Sequence, residues 1–480
     1  MKFLLNQLSF KSDLLVTFLN GIIVMGGVLF LNGMISRLHG LEVLGEFLLV
    51  KRTFSSAISL FLIGTNLALT NYISRDYDRL YGDATLKIFI ILSIPIIVLS
   101  IQGLQWMQIE GIRNTVFWPY FVFSVGVSLQ LLAYNLFRGY MNMIGASFLQ
   151  LIGTAVIPIS LFLLLDDLIK IITWIGITSI CVMLFGYLWR NNGIRILNVK
   201  LEYYKKLIVY GLYRIPSIIS QFILLAGLPI MVAKTSNLEN VAYFNSSISL
   251  LRLSLIFINP IGMVLLPRIS QKLAKGEKGK ISSGLNTALY GGIFFSIISG
   301  IWVFIFAPVI LEIWLGQLNT NGLWIMRGII ISFPFYTIAG FARSPIDAAS
   351  QKGYNSIIYG LAAIFIVLTY YLGIKTGYNP IHVAIASFFG GQIIAGVSSI
   401  LVLRKLFNIT LGDISLIRDI GIGSFMIILG NYMLTKNGFT QSFSAMSIAL
   451  IGFMMMLFYY KNAKSGWIYN LRSELINKEK

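Results

Sequence analysis

Hydrophobic runs long enough to cross a bilayer recur along the chain, separated by short polar turns. A helix needs about 20 mostly apolar residues to span roughly 30 Å of hydrocarbon, and inside lipid it satisfies its own backbone hydrogen bonds. The pattern predicts an all-α polytopic membrane protein with about fourteen transmembrane helices. The spans read as 14–36, 43–72, 87–105, 115–136, 146–165, 169–189, 211–233, 240–266, 283–306, 322–342, 354–374, 380–403, 416–435 and 441–460. No small-residue cleavage site precedes the run after Asp13, so that run reads as an uncleaved first span. An even number of spans puts both termini on one side of the bilayer.

Charge then orients the bundle. Apolar residues make up 57% of the chain and charged residues 11%, against roughly 25% charged in a soluble domain. The net charge of +19 could suggest nucleic-acid binding, but the cations sit in short loops between spans. With the N-terminus inside, 27 Lys and Arg fall in inside segments and six in outside segments, with four within spans. That is the positive-inside bias. It predicts cytoplasmic termini, a lipid environment and no nucleic-acid partner. The single cysteine, Cys181, can form no intrachain disulfide and reads as a small buried hydrophobe.

A faint repeat runs through the pattern. Shifting the first span by 197 residues onto the seventh aligns Leu31 with Leu228, Met34 with Met231, Arg37 with Lys234, Leu41 with Leu238, Glu42 with Glu239 and Phe47 with Phe244. Spans two and eight both end in a basic Ile-Ser turn, at Ile73-Ser74-Arg75 and Arg268-Ile269-Ser270. Six-span halves entering from the same side form a parallel repeat, and transporters often bind substrate between such halves. The expected organisation is an N-lobe over 1–190, an inter-lobe loop over 191–208, a C-lobe over 209–405, and two further helices with a tail over 406–480.

Charge within a span is costly and marks function. Arg52, with Lys51, lies in span two and Arg252 in span eight, its partner in the repeat. Helical spacing continues Arg52 into Ser55, Ser59, Asn66 and Thr70, and surrounds Arg252 with Asn245, Ser249 and Asn259. Two such stripes suit a water-filled cavity, and guanidinium suits phosphate oxygens. Lys51 and Arg327 either join this anion site or extend to the outer interface. None of the 18 acidic residues is placed in mid-span. Glu46, near the outer end of span two, is the one candidate for ion coupling and otherwise an interfacial residue; Asp347 lies near the inner end of span ten.

The remaining motifs carry little. Gly276-Glu277-Lys278-Gly279-Lys280 lacks phosphate-loop spacing, so no ATPase is expected, nor any cofactor. His39 and His382 are too isolated for a metal site. Asp166-Asp167 reads as a span terminator, and Ser387, Gly391 and Ala395 as a helix-packing stripe. Pro216, Pro229, Pro260 and Pro334 are expected to kink their spans or to sit in ordinary bends.

Five short segments, in order, give the chain a family likeness: Leu38-His39-Gly40-Leu41-Glu42-Val43-Leu44-Gly45-Glu46-Phe47, Leu62-Ile63-Gly64-Thr65-Asn66-Leu67-Ala68-Leu69, Asn135-Leu136-Phe137-Arg138-Gly139-Tyr140, Tyr203-Tyr204-Lys205-Lys206-Leu207-Ile208-Val209-Tyr210-Gly211-Leu212, and Leu266-Pro267-Arg268-Ile269-Ser270. The chain resembles the Wzx-type O-antigen flippases, in the polysaccharide-transporter branch of the multidrug/oligosaccharidyl-lipid/polysaccharide exporter superfamily. The resemblance implies two six-helix lobes, MATE-like, around a central cavity that works by alternating access in the bacterial inner membrane. It implies transfer of undecaprenyl-diphosphate-linked oligosaccharide between leaflets, with Arg52 and Arg252 in the cationic cavity. A polysaccharide polymerase and a chain-length regulator are the implied partners. A cation-coupled multidrug exporter of the same fold is the alternative. A membrane-embedded polymerase or glycosyltransferase is disfavoured by outer loops of about 5 to 15 residues with few acids.

Overall fold

The computed structural model describes residues 10–113, 116–191, 193, 199–253, 278–349 and 353–409. Among these residues every regular element is a helix. The helices are α1 (Phe10–His39), α2 (Leu41–Phe61), α3 (Thr65–Asp76), α4 (Leu80–Ile88), α5 (Ile94–Trp106), α6 (Phe117–Gly139), α7 (Met143–Leu151), α8 (Ile157–Leu164) and α9 (Leu168–Arg190). They continue with α10 (Leu201–Leu212), α11 (Ile215–Phe222), α12 (Leu228–Thr235), α13 (Leu238–Leu251), α14 (Lys278–Ile310), α15 (Thr320–Ile330), α16 (Phe333–Ala349), α17 (Tyr354–Lys375) and α18 (Pro380–Phe407). Among the described residues eight helical runs are long and apolar enough to cross a membrane, and counting each of two bent helix pairs as one span brings the number to ten. The protein is therefore a multi-pass membrane protein. The first twelve spans read from sequence each fall on described helix, at least in part. The last two, at 416–435 and 441–460, lie outside the described residues, as does Pro260.

Proline shapes these helices. Pro95, Pro158 and Pro229 each stand second in a helix that follows a five-residue π turn, at Phe89–Ser93, Ile152–Val156 and Ile223–Gly227. Proline offers no N–H and its ring collides with the carbonyl four residues back; the wider π turn absorbs both defects without ending the span. Pro334 follows a 43° bend between α15 and α16.

Span two is not one helix. It breaks at Leu62–Gly64 and turns by 57° between α2 and α3. Ile63 and Gly64 both take left-handed conformations, with φ of +52° and +67°. A Cβ on Gly64 would stand 2.9 Å from the backbone of Gly211 on α10, so α10 fixes the break by close backbone contact. Leu62 O accepts both the Thr65 backbone N–H at 2.9 Å and the Thr65 hydroxyl at 2.7 Å, so the turn satisfies its own carbonyl. The polar line from Arg52 to Thr70 is therefore split over two helices. Within the segment read as an inter-lobe loop, helix begins at Leu201.

The described residues pack into two compact units. The first is drawn from Met1–Ser249, Trp314–Gly316 and Tyr359–Gly391, the second from Leu250–Ile313, Gln317–Ile358 and Gln392–Lys480. In the first, Phe47, Phe54 and Phe61 on α2 are fully buried, with Phe47 edge-on to Phe162 and Phe54 against Tyr120. Leu99, Leu164 and Phe185 point outward, as lipid-facing residues do in a bundle whose solvent is as apolar as leucine. Cys181 is also exposed on α9, not buried as expected, because it shares that outward face.

Candidate functional site

Arg52 is deeply buried in the first unit, 7% exposed. Its Nη2 donates to the backbone oxygen of Asn245 at 3.1 Å and to Ser249 Oγ at 3.2 Å, both on α13. Ser249 Oγ in turn donates to Asn245 O at 3.0 Å. The carbonyl of Asn245 thus gathers donors from a guanidinium and a hydroxyl, which suits the partial negative charge of a helix carbonyl in a low-dielectric setting.

The two ends of the Arg52–Ser249 bond are 197 residues apart, the offset of the sequence repeat. A second meeting obeys the same offset: a Cβ on Gly45 would stand 3.4 Å from the backbone nitrogen of Ala242, and still closer to Leu238 O. Two contacts between α2 and α13 thus follow the offset of the sequence repeat. Glycine at 45 and alanine at 242 let the backbones approach.

The surroundings are polar and incompletely paired. Asn245 is fully buried, and among the described residues neither its Nδ2 nor its Oδ1 finds a hydrogen-bond partner. The hydroxyls of Thr53, Ser246 and Tyr243 are in the same condition. Leaving a buried polar group unmatched costs about 1–3 kcal/mol, so these groups on α2 and α13 call for water or a polar ligand as partners.

Lys51 is half-buried with Nζ 5.4 Å from the centre of the Phe47 ring, a cation–π contact. Ser55 is exposed; Ser59 Oγ accepts a long 3.4 Å bond from Asn66 Nδ2 across the break in span two. Arg252 is half-buried in the turn after α13 and belongs to the second unit. Asn259 lies outside the described residues. Arg327, also in the second unit, donates from Nε to Phe304 O at 3.2 Å and covers the Phe304 ring at 5.1 Å. Phe304 stands four residues before Pro308, which sits inside α14 and has no N–H to return. Arg327 thus has a structural task, supplying a donor that the proline withholds.

Glu46 is buried, 6% exposed, and forms a two-pronged ion pair with Arg113 at 2.9 and 3.0 Å. Arg113, in the loop between α5 and α6, has its guanidinium held still more firmly in the charged form by that carboxylate. Its backbone N–H donates to Tyr120 OH at 3.1 Å. Sequence reasoning missed Asp83, which is 1% exposed on α4. The helix starts seven residues before the apolar run read as its span, so a buried carboxylate looked like a loop residue. Asp167 does terminate a loop: its side chain caps α9, accepting from Ile169 and Lys170 N–H. No cluster of three or more His, Cys, Asp or Glu able to hold a metal occurs among the described residues.

No family model matches the chain, and no curated protein does. Solved structures do. The lipid II flippase MurJ in an inward closed conformation superposes with a TM-score of 0.69 at 16% identity, covering 95% of this chain and 99% of that one. An inward-facing multidrug resistance MATE family transporter of the MOP superfamily gives a TM-score of 0.62 at 15% identity, covering 84% and 95%. A MOP superfamily transporter from Pyrococcus furiosus, described by a reversed polarity of its binding pocket, gives 0.62 at 13% identity, covering 83% and 96%. The chain has the all-helical fold shared by MurJ and the MATE transporters.

Proposed function

We propose that the protein is a flippase that moves undecaprenyl-diphosphate-linked oligosaccharide units, of O-antigen or a related surface polysaccharide, from the cytoplasmic to the outer leaflet by alternating access. The observation that carries this reading is the buried guanidinium of Arg52 at the α2–α13 crossing, bonded to Asn245, whose own side-chain amide lacks a partner among the described residues. A fixed positive charge with nearby neutral donors suits a diphosphate. The fold, shared with a lipid II flippase, supports a lipid-linked substrate. A polysaccharide polymerase and a chain-length regulator would act on the product.

The second reading, a cation-coupled multidrug exporter, is favoured by the MATE likenesses. Deleting the gene separates the two. The flippase reading expects loss of surface polysaccharide and accumulation of lipid-linked repeat units in extracted lipids. Unchanged glycan and lipids, with new sensitivity to cationic drugs, would reject it.

A further inference from the structure

We propose that the loop over 107–113, between α5 and α6, is a latch: it straps the outer ends of α2 and α13 together, and the Glu46–Arg113 ion pair fastens it. The charge bias of the sequence places this end outside. There the two helices meet backbone to backbone at Gly45, Leu238 and Ala242. The loop lies across that meeting. A Cβ on Gly111 would stand 2.8 Å from Leu238 Cδ2 at the start of α13, 3.2 Å from Leu49 Cδ2 and 3.8 Å from Glu46 Cα on α2. Glycine suits the position, since its φ is +83° and its neighbours leave no room for a side chain. Ile109 and Ile112, on either side of it, are each 2% exposed, and Leu49 beneath is fully buried.

The loop holds its own shape. Two tight turns close within it, with Gln108 N–H donating to Gln105 O at 3.1 Å and Ile112 N–H to Ile109 O at 3.0 Å. The main chain of Arg113 is tied to the helices that flank the loop. Its N–H donates to Tyr120 OH on α6 at 3.1 Å, and its carbonyl accepts from Gln105 Nε2 on α5 at 3.2 Å. The Arg113 side chain, in contrast, reaches across to α2. The ion pair is lopsided: the Arg113 side chain is 53% exposed and that of Glu46 9%. A carboxylate so buried needs its cation, and removing one partner of such a pair is strongly unfavourable. Without the guanidinium, water must take its place beside Glu46, and water enters when the loop lifts. The ion pair therefore favours the closed end, and its loss shifts the balance toward the open one. Alternating access requires this end to open, and in that respect the latch rests on the proposed function.

The test needs no transported substrate, so its failure is distinct from failure of the flippase reading. The purified full chain carries Cys181→Ser, which removes the exposed native thiol, and Leu49→Cys beneath the loop. The labelling rate with a polar maleimide reports how often the loop lifts. Labelling should be slow in this parent and at least about tenfold faster with Arg113→Ala or Glu46→Gln. The double variant Glu46→Gln/Arg113→Ala leaves no unpaired charge and should label no faster than the faster single variant, because both remove the same bond. Leu132→Cys, fully buried in the second half of α6, should stay slow in every background. Fast labelling of Leu49→Cys in the parent overturns the proposal, as does a rate unchanged by Arg113→Ala or an additive rise in the double variant. An equal rise at Leu132→Cys overturns it too, by making the ion pair a general support of the fold. Should Arg113→Ala not fold, Glu46→Gln decides by the same readings.

Discussion

A guanidinium held among membrane helices must place five N–H donors, and where they go separates a structural arginine from a functional one. Arg327 sends Nε to Phe304 O, the carbonyl that Pro308 leaves without its usual donor. Arg327→Met should therefore lower stability by about 1–3 kcal/mol, the cost of an unmatched buried acceptor. In a Pro308→Ala background the helix supplies the missing N–H, and the same substitution should cost much less. Thermal unfolding of the four proteins of this cycle measures the difference; equal costs in both backgrounds would refute the pairing. Arg52 differs, because the residue whose carbonyl it binds, Asn245, has an unmatched side-chain amide among the described residues. Hydrogen bonds to charged groups contribute about 1.5–3 kcal/mol, so Arg52→Ala should cut transport about tenfold or more at normal protein levels. Arg52→Lys keeps the charge but loses the fork and should recover only part of the activity. Normal surface glycan in Arg52→Ala cells would remove Arg52 from the site.

The break in span two rests on few atoms. Gly64 combines a φ of +67° with backbone contact to Gly211, so alanine there meets both a backbone penalty and a clash. Gly64→Ala should destabilise by about 2 kcal/mol or more. Gly103→Ala, on an open face of α5 with nothing within 4 Å, should be neutral or slightly stabilising. If Gly64→Ala melts with the wild type, α10 does not clamp the break. Tyr203 helps hold α10 by donating to Asp78 Oδ2. That bond pushes its phenol up to about 12. A raised phenol pKa means the clasp contributes fully below the ordinary tyrosine value near 10 and is lost as pH rises toward about 12. The spans themselves were legible in the sequence, because in lipid an apolar run of sufficient length has one stable outcome. The break was not: no proline marks Leu62–Gly64, and the bend depends on Gly211, nearly 150 residues away. Asp83 was missed for a related reason, since α4 starts before its apolar run. Glu46 was seen without its partner, because the ion pair with Arg113 joins α2 to a loop 67 residues further on. Arg52 was legible from charge and repeat offset, although its partners Asn245 and Ser249 needed the fold.

At the scale of the whole molecule, the two readings of function differ in what drives transport. A diphosphate leaving an inside-negative cell moves down the electrical gradient, gaining about 2.3 kcal/mol per charge per 100 mV. An exporter of cationic drugs works against the same potential and needs a coupling ion. The α2–α13 crossing, with Arg52 buried against Asn245 and Ser249, suits the first case: a fixed positive charge there favours an anion. In proteoliposomes carrying a lipid-linked oligosaccharide, a potassium–valinomycin potential that is negative on the side of origin should accelerate flipping. Two charges and 100 mV correspond to about 4.6 kcal/mol of driving force, enough to bias the final distribution by more than a thousandfold. Reversing the potential should oppose transfer. A rate indifferent to the potential would mean that the charge of Arg52 anchors two helices and carries no substrate.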